Sequence, residues 1–316
     1  MKAQLTGAFP RSEALVDLTR AAARGRIQSA ELEAGYAREV STVVNMQSEA
    51  GLDLVVDGQL TWKDLFRPFS EMFEGIRTGA LTRWFNNNTF YRKPVIADKI
   101  RYRGRGLEAY FRYNELPKGG RRKAILPGPY TFAVMAHDQY YSTPADLIDD
   151  LAHSLREAVD DLKKTGGYDC FQFNEPCISF QGLTRVDIPA LAQAYEELTK
   201  GLGAESILQT YFGDATPVID TVLDLPVDHV GIDFYATPLD SLAGHDFTKG
   251  IMCGCVDARN SLLESPDALK KLILQIEDRL NPKSLSIAPN CDLDFLPQTI
   301  AMKKLVLLAR AKELVE

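Results

Sequence analysis

Long apolar runs are missing from this 316-residue chain; no stretch approaches the roughly 20 residues needed to cross a bilayer. The opening residues, Met1-Lys2-Ala3-Gln4-Leu5-Thr6-Gly7, lack the apolar core of a secretory leader, so a cytoplasmic protein is expected. Basic charge is in deficit, with 36 Lys and Arg against 43 Asp and Glu and a net charge of −7. That balance argues against a protein whose main work is neutralising phosphates, so neither a nucleic-acid nor a membrane partner is expected. Cysteine is sparse and odd in number, at Cys170, Cys177, Cys253, Cys255 and Cys291, which disfavours a disulfide framework. The four histidines, His137, His153, His229 and His245, show no His-x-x-x-His spacing. A Gly-rich phosphate loop and a Gly-x-Ser-x-Gly elbow are absent as well, so nucleotide cofactors and a serine nucleophile are disfavoured.

What is present is a repeated pattern. Short runs rich in Val, Ile and Phe occur at Lys2 to Phe9, Leu52 to Asp57, Lys123 to Pro127, Asp169 to Asn174, Ser206 to Tyr211, His229 to Phe234, Gly250 to Val256 and Leu285 to Pro289. Each is followed by a segment of helical periodicity. Ser29 is placed to cap a helix reaching about Ala50, and Thr143-Pro144-Ala145-Asp146 sets a cap before a proline for a helix running to Lys164. Asp187-Ile188-Pro189 and Ser265-Pro266-Asp267 repeat the device. Strand, loop and capped helix in alternation predict βα units, and eight of them predict an α/β fold of the (β/α)8 TIM-barrel type.

The pattern breaks between residues 60 and 122, a stretch too long for one crossover, which holds Trp62, Trp84 and Phe85. It is expected to be an insertion after the second strand, with a hairpin over Ile96 to Phe111, lying at the barrel mouth. With no linker of low complexity, residues 1–316 read as a single barrel domain. Arg101, Arg103, Arg105, Arg112, Lys118, Arg121, Arg122 and Lys123 form a basic stretch, read either as a solvated hairpin face or as a seat for an anionic tail.

Barrel enzymes carry their chemistry at the C-terminal ends of the strands, so polar residues there are the first candidates. Glu175 and Asp57 are the expected acid–base residues. Phe9, Arg11, Asn174, Gln209, Tyr211, Asp233 and Asp257 are expected to contact substrate; any one of them could equally cap the following helix. Cys253 and Cys255 share a strand face and Cys291 ends the next strand, so three sulfurs could converge and hold zinc, which would activate a thiol. Against this, buried cysteine is an ordinary core residue, and no fourth ligand is evident.

Taken in order, several phrases resemble the cobalamin-independent methionine synthase family across most of the chain. They are Gly7-Ala8-Phe9-Pro10-Arg11, Trp84-Phe85-Asn86 with Tyr91, Pro127-Gly128-Pro129-Tyr130-Thr131, and Asn174-Glu175-Pro176. Thr210-Tyr211-Phe212 with Thr216-Pro217, Gly254 with Asp257-Ala258-Arg259-Asn260, and Ala288-Pro289-Asn290-Cys291 follow. The resemblance implies one of the two barrels of the full-length family. Where the family's catalytic barrel has its zinc-binding His-x-Cys, this chain reads Gln209-Thr210-Tyr211, and of that barrel's ligands only Cys291 remains. The wording is closer to the zinc-free N-terminal barrel. Where the family has Asp-Glu-Pro, Asn174 keeps hydrogen bonding but gives up the charge that would attract an ammonium group.

The resemblance implies a methyltransferase that moves a methyl group from a folate or corrinoid donor to a thiol such as homocysteine. A second reading is a non-catalytic, donor-binding barrel acting with a separate zinc-bearing barrel. A third is a metal-free enzyme like uroporphyrinogen decarboxylase, using Asp57, Arg11 and Glu175.

Overall fold

The structure, a computed structural model, describes residues 1–185 and 187–315. Its strands are β1 (Lys2–Ala3), β2 (Phe73–Arg83), β3 (Phe90–Tyr102), β4 (Lys123–Pro127), β5 (His137–Asp138), β6 (Cys170–Asn174), β7 (Glu205–Gln209), β8 (His229–Asp233), β9 (Gly250–Val256) and β10 (Ser284–Pro289). The helices are α1 (Glu13–Ala23), α2 (Ser29–Glu49), α3 (Arg67–Met72), α4 (Leu107–Tyr110), α5 (Pro129–Met135) and α6 (Pro144–Asp161) in the first half. In the second half they are α7 (Pro176–Gln181), α8 (Asp187–Thr199), α9 (Ile219–Asp224), α10 (Pro266–Leu280) and α11 (Gln298–Val315). Among these described residues no helix is long and apolar enough to cross a membrane.

Seven strands form one curled parallel sheet in the order β1-β10-β9-β8-β7-β6-β4. The strand expected at Leu52 to Asp57 is reduced to two bridging residues. Leu54 pairs with Gln4 and Val55 with Arg122, both in parallel, and these bridges close the ring between β1 and β4. The result is the expected TIM-barrel architecture with one minimal stave.

Helix starts follow the local chemistry unevenly. Thr143 accepts from the Asp146 amide at 3.2 Å, as its position before Pro144 predicts. Ser29 is instead the first helical residue of α2; the N-cap is Gln28, which makes no side-chain cap bond.

The hairpin of the insertion is β2 with β3, antiparallel from Phe73–Tyr102 to Arg83–Phe90. The alternation seen from Ile96 onward is its second strand, and the partner lies earlier in the chain, not towards Phe111. Gly104 and Gly106, at φ 64° and 94°, end the ladder and lead into α4. The basic stretch is likewise divided. Arg101, Arg103 and Arg105 are exposed, but Arg112 is buried against Glu33 and Glu115, and Arg122 donates to the carbonyls of Pro117, Leu116 and Gly166. Lys123 points into the barrel, so these residues make no continuous surface.

Inside the ring, side chains stack in layers. Leu54, Cys170, Ile207, Met252 and Ala288 form an apolar layer. A polar layer holds Gln4, Lys123, Gln172 and Ser286: Gln4 Nε2 donates to Ser286 Oγ at 2.9 Å and Lys123 Nζ to Gln172 Oε1 at 2.7 Å.

At the opposite end from the mouth, Glu205 opens β7 and is met by Lys2 (3.0 Å), Arg121 (2.5 Å) and His229 (2.7 Å). These partners, His229 foremost, hold its carboxyl far below the ordinary carboxylate range. A depressed carboxylate gives stability that is present above its unfolded value of about 4.5 and lost as pH falls. Glu205→Gln is therefore expected to cost about 3 kcal/mol at neutral pH and to flatten the acid limb of a plot of thermal midpoint against pH. An unchanged acid limb would remove Glu205 from that role.

Candidate active site

The mouth of the barrel is shaped first by the turn after the minimal stave. The Asp57 carboxylate accepts from the backbone amides of Gln59 (2.9 Å) and Arg112 (3.0 Å), and burial pushes its pKa up. Gly58 follows at φ 74°, where an added Cβ would lie 3.2 Å from Phe9 and Val43, and Gln59 is itself left-handed at φ 50°. This turn, tied by a Phe9 amide bond to the Gly58 carbonyl at 2.9 Å, presents Gln59 to the mouth. Arg11 fixes the next segment by donating from Nε to the Leu60 carbonyl at 2.7 Å and from its guanidinium to the Trp62 carbonyl.

Between these elements and the segment after β10 lies a cleft of about 550 Å³. Phe9, Arg11, Gln59, Trp62, Lys63, Asp64, Trp84, Tyr91, Asp292, Asp294 and Phe295 are among its walls. Asp292 Oδ1 accepts from the Ala8 amide at 3.0 Å. Burial, then repulsion from Asp294, raises the Asp292 carboxyl to about 7. Asp294 is reached by solvent through the cleft but enclosed by protein otherwise; burial raises it to about 6, with Arg11 opposing. Among the described residues no lysine or arginine forms a salt bridge with either carboxylate. Gln59 is only 7% exposed, and its Nε2 has no hydrogen-bond partner.

Of the residues expected from sequence, Phe9 and Arg11 line this cleft. The others stand apart from it, buried under the mouth or engaged in local turns. Glu175 is fully buried, and its carboxylate accepts from the amides of Tyr130 (3.0 Å) and Thr131 (2.6 Å), closing the start of α5. Gly128 makes this approach possible, since a Cβ there would lie 2.1 Å from the carboxyl. Asn174 Oδ1 accepts from Gln172, and Gln209 Nε2 donates to the carbonyls of Thr210 and Asn290, leaving Gln209 Oε1 without a partner in the lumen. Asp233 accepts from the Tyr235 and Ala236 amides and from Asn290 Nδ2, while Asp257 accepts from the Arg259 amide. Tyr211 is 2% exposed, and burial drives its phenol pKa up.

Gln59, Asp292 and Asp294 carry no expectation from the sequence, and Trp62 stands there only as an aromatic of the insertion. Two signals were available: the residue after Asp57-Gly58, and the Asp-Leu-Asp that begins directly after Cys291.

The expected convergence of Cys253, Cys255 and Cys291 does not occur. In β9, Met252 faces the lumen with Ser286 and Ala288, so strand alternation turns Cys253 and Cys255 outward to the helix layer. Cys291 lies at the mouth, and burial pushes its thiol well above the usual range. Among the described residues no group of three His, Cys, Asp or Glu side chains could hold a metal ion. These donors do not fit the four-ligand zinc site that a thiolate set would need.

Rings from the hairpin tip cross the mouth beside the cleft. Phe85 meets Trp84 (4.7 Å), Phe180 (4.9 Å) and Phe212 (5.2 Å); Phe212 meets Phe295 (5.8 Å) and lies beneath the Arg259 guanidinium (5.2 Å). Phe85 and Phe212 both adopt positive φ, 47° and 71°, a costly conformation for a bulky residue.

Residues 71–281 match the family described as cobalamin-independent synthase, N-terminal domain. The chain belongs to that family. The family resemblance read from the sequence phrases, and its leaning towards the N-terminal barrel, are thereby shown. A methionine synthase of Saccharolobus solfataricus is 26% identical over 314 residues, covering 98% of this chain and 93% of the relative. Among solved structures, a B12-independent methionine synthase from Shewanella sp. W3-18-1, in complex with selenomethionine, superposes with a TM-score of 0.80 at 18% identity. The alignment covers 99% of this chain and 97% of that one. A methyltransferase from Methanosarcina mazei gives a TM-score of 0.63 at 11% identity, covering 100% and 94%. These structural likenesses establish the barrel fold of this family member, and its cleft sits at the end of the barrel where such folds place their ligands.

Proposed function

We propose that this barrel serves methyl transfer, from a folate or corrinoid donor to a thiol such as homocysteine, with the mouth cleft as the site of the small molecule. The observation that carries the reading is the pair Asp292 and Asp294 in a cleft of ligand size, in a chain whose relatives are named methionine synthases. In such a transfer a carbon–sulfur bond forms as the bond from methyl to donor breaks. A nitrogen leaving group departs readily only when it carries a proton. Asp292, raised to about 7 and facing the cleft, is the carboxyl that carries a proton near neutral pH and supplies it to a nitrogen donor. Arg11 and Gln59 orient the ligand, and Trp62, Trp84 and Tyr91 wall it from water.

The separation of the three cysteines favours a second reading, in which this chain binds the donor and a separate zinc-bearing barrel activates the thiol. In both, Cys291 is no metal ligand. The test is methionine formation from homocysteine with methyltetrahydrofolate or methylcobalamin, for the chain alone and with a zinc-bearing barrel added. Cys291→Ser is expected to retain whatever turnover the wild type shows and to leave its metal content unchanged. Loss of turnover and of stoichiometric zinc together in that variant would overturn this assignment. If neither donor binds nor turns over under any condition, the methyl-transfer reading fails.

A further inference from the structure

We propose that the hairpin tip, residues 85–89, is a lid over the barrel mouth, latched by the Phe85 ring and built to release. The inference goes beyond the methyl-transfer reading and takes from it only the use of the cleft as a ligand site.

The hairpin is firmly held up to Trp84 and loosely beyond it. The β2–β3 ladder ends at the Arg83–Phe90 pair. Next to that end, Tyr91 Oη donates to the Met135 carbonyl at 3.0 Å and the Arg92 amide to Asp64 Oδ2 at 3.1 Å. Trp84 packs edge-on against Phe66 (5.7 Å) and Tyr91 (5.6 Å). Past this point the backbone bonds are internal to the loop: the Trp84 amide to the Thr89 carbonyl at 2.9 Å, and the Asn87 amide to the Trp84 carbonyl at 3.1 Å. Among the described residues, no hydrogen bond joins residues 85–89 to anything outside that loop.

What holds the tip down is one ring. Phe85 sits on Phe180 of α7 (4.9 Å) and on Phe212, just past β7 (5.2 Å). Those two residues stand across the ring from Phe9 and Gln59, whereas Trp84, Asn88 and Thr89 wall the cleft itself. The same short loop therefore flanks the cleft and reaches over the mouth to the far rim.

Closure carries its own costs. Phe85 and its seat Phe212 both hold left-handed φ angles, which bulky residues adopt only at an energetic cost. Asn87 Nδ2 and Thr89 Oγ1 are shut away from water with no partner, and opening hydrates both. Phe180 stays 37% exposed beneath the contact, so the seat is shallow. An edge-to-face ring pair stabilises by about as much as one such orphaned group costs. Closed and open tips thus lie close in free energy while the ladder below stays paired.

The test is a pulsed electron-resonance distance measurement on the full chain, spin-labelled at Asn86→Cys and Gln181→Cys. Both positions are exposed and each adjoins one of the touching rings, while the native cysteines are buried. Two distances are expected, the longer in about one molecule in ten. Phe180→Ala removes the seat without altering the tip and should make the longer distance the main one. A single distance before that substitution, or a distribution that Phe180→Ala leaves unchanged, overturns the lid. A reducible bismaleimide joining the same two cysteines then locks the tip. Methyltetrahydrofolate should enter and leave the locked chain about tenfold more slowly than the reduced one, at similar affinity. Equal rates would mean that the tip moves without gating the cleft and would overturn its role as a lid. If methyltetrahydrofolate and methylcobalamin both fail to bind, the functional reading falls, and the distance measurement still decides the lid.

Discussion

Lys123→Ala is expected to lower stability by about 4 kcal/mol and the thermal midpoint by roughly 6 °C. The side chain is 1% exposed, and its ammonium donates to Gln4 Oε1 (2.8 Å), the Leu5 carbonyl (2.5 Å) and Gln172 Oε1 (2.7 Å). Alanine would leave a void in the lumen and three acceptors without a donor. Burial already draws the Lys123 pKa down to about 8, so the ammonium survives only because all three of its protons are placed. Lys123→Met restores most of the volume and none of the donors, and about half the loss should remain. Chemical denaturation of the three proteins side by side reads the difference. An alanine variant within about 1 kcal/mol of wild type would mean that the lumen relaxes or admits water more easily than its packing implies.

Glu175→Ala is expected to cost about 3 kcal/mol, because the amides of Tyr130 and Thr131 would lose their acceptor inside the protein. A pH dependence accompanies it. Burial raises the Glu175 carboxyl from 4.5 to about 7, against the opposing hydrogen bonds from Thr131 and Tyr130. Between those values the folded chain keeps a proton that the unfolded chain releases. Its contribution is therefore full below about 4.5 and declines as pH rises through 7. Glu175→Gln stays uncharged throughout, so its stability should be flatter across that window. A wild-type profile that shows no decline there, or a Gln variant with the same decline, would assign the titration to another group.

These two residues show where the sequence was legible and where it was not. Seven of the eight apolar runs form barrel strands because period and caps are local signals. The eighth, Leu52 to Asp57, contributes only Leu54 and Val55, since pairing length depends on neighbours that the run itself does not encode. Lys123 looked like the end of a basic stretch, although its place at the start of a strand gives it the parity of Gln172 and the lumen. Glu175 was conspicuous as a carboxylate at a strand end, but the same position lies beside the start of the preceding α5, and free amides there compete for it. Asp292 and Asp294 escaped notice for the opposite reason. An Asp-Leu-Asp that opens a short 3₁₀ turn at Leu293–Phe295 reads as turn chemistry, and only the approach of Ala8 and Gln59 from the first two staves makes it a wall of the cleft.

The closure of the ring has a mechanical consequence. Six of the junctions around the sheet are ladders, but the circle is completed by Leu54 and Val55 through two single bridges. The barrel is thus a split ring clasped at one point, and a split ring changes its diameter by flexing at the clasp. Phe9 and Gln59 stand on either side of that gap, with Asp292 on the adjoining stave. The width of the cleft is coupled to this clasp, where single bonds stand in place of a ladder: Asp53 to the Ala3 carbonyl (2.9 Å), Val55 to that of Arg121 (3.0 Å), Lys123 to that of Val55 (3.0 Å) and Phe9 to that of Gly58 (2.9 Å).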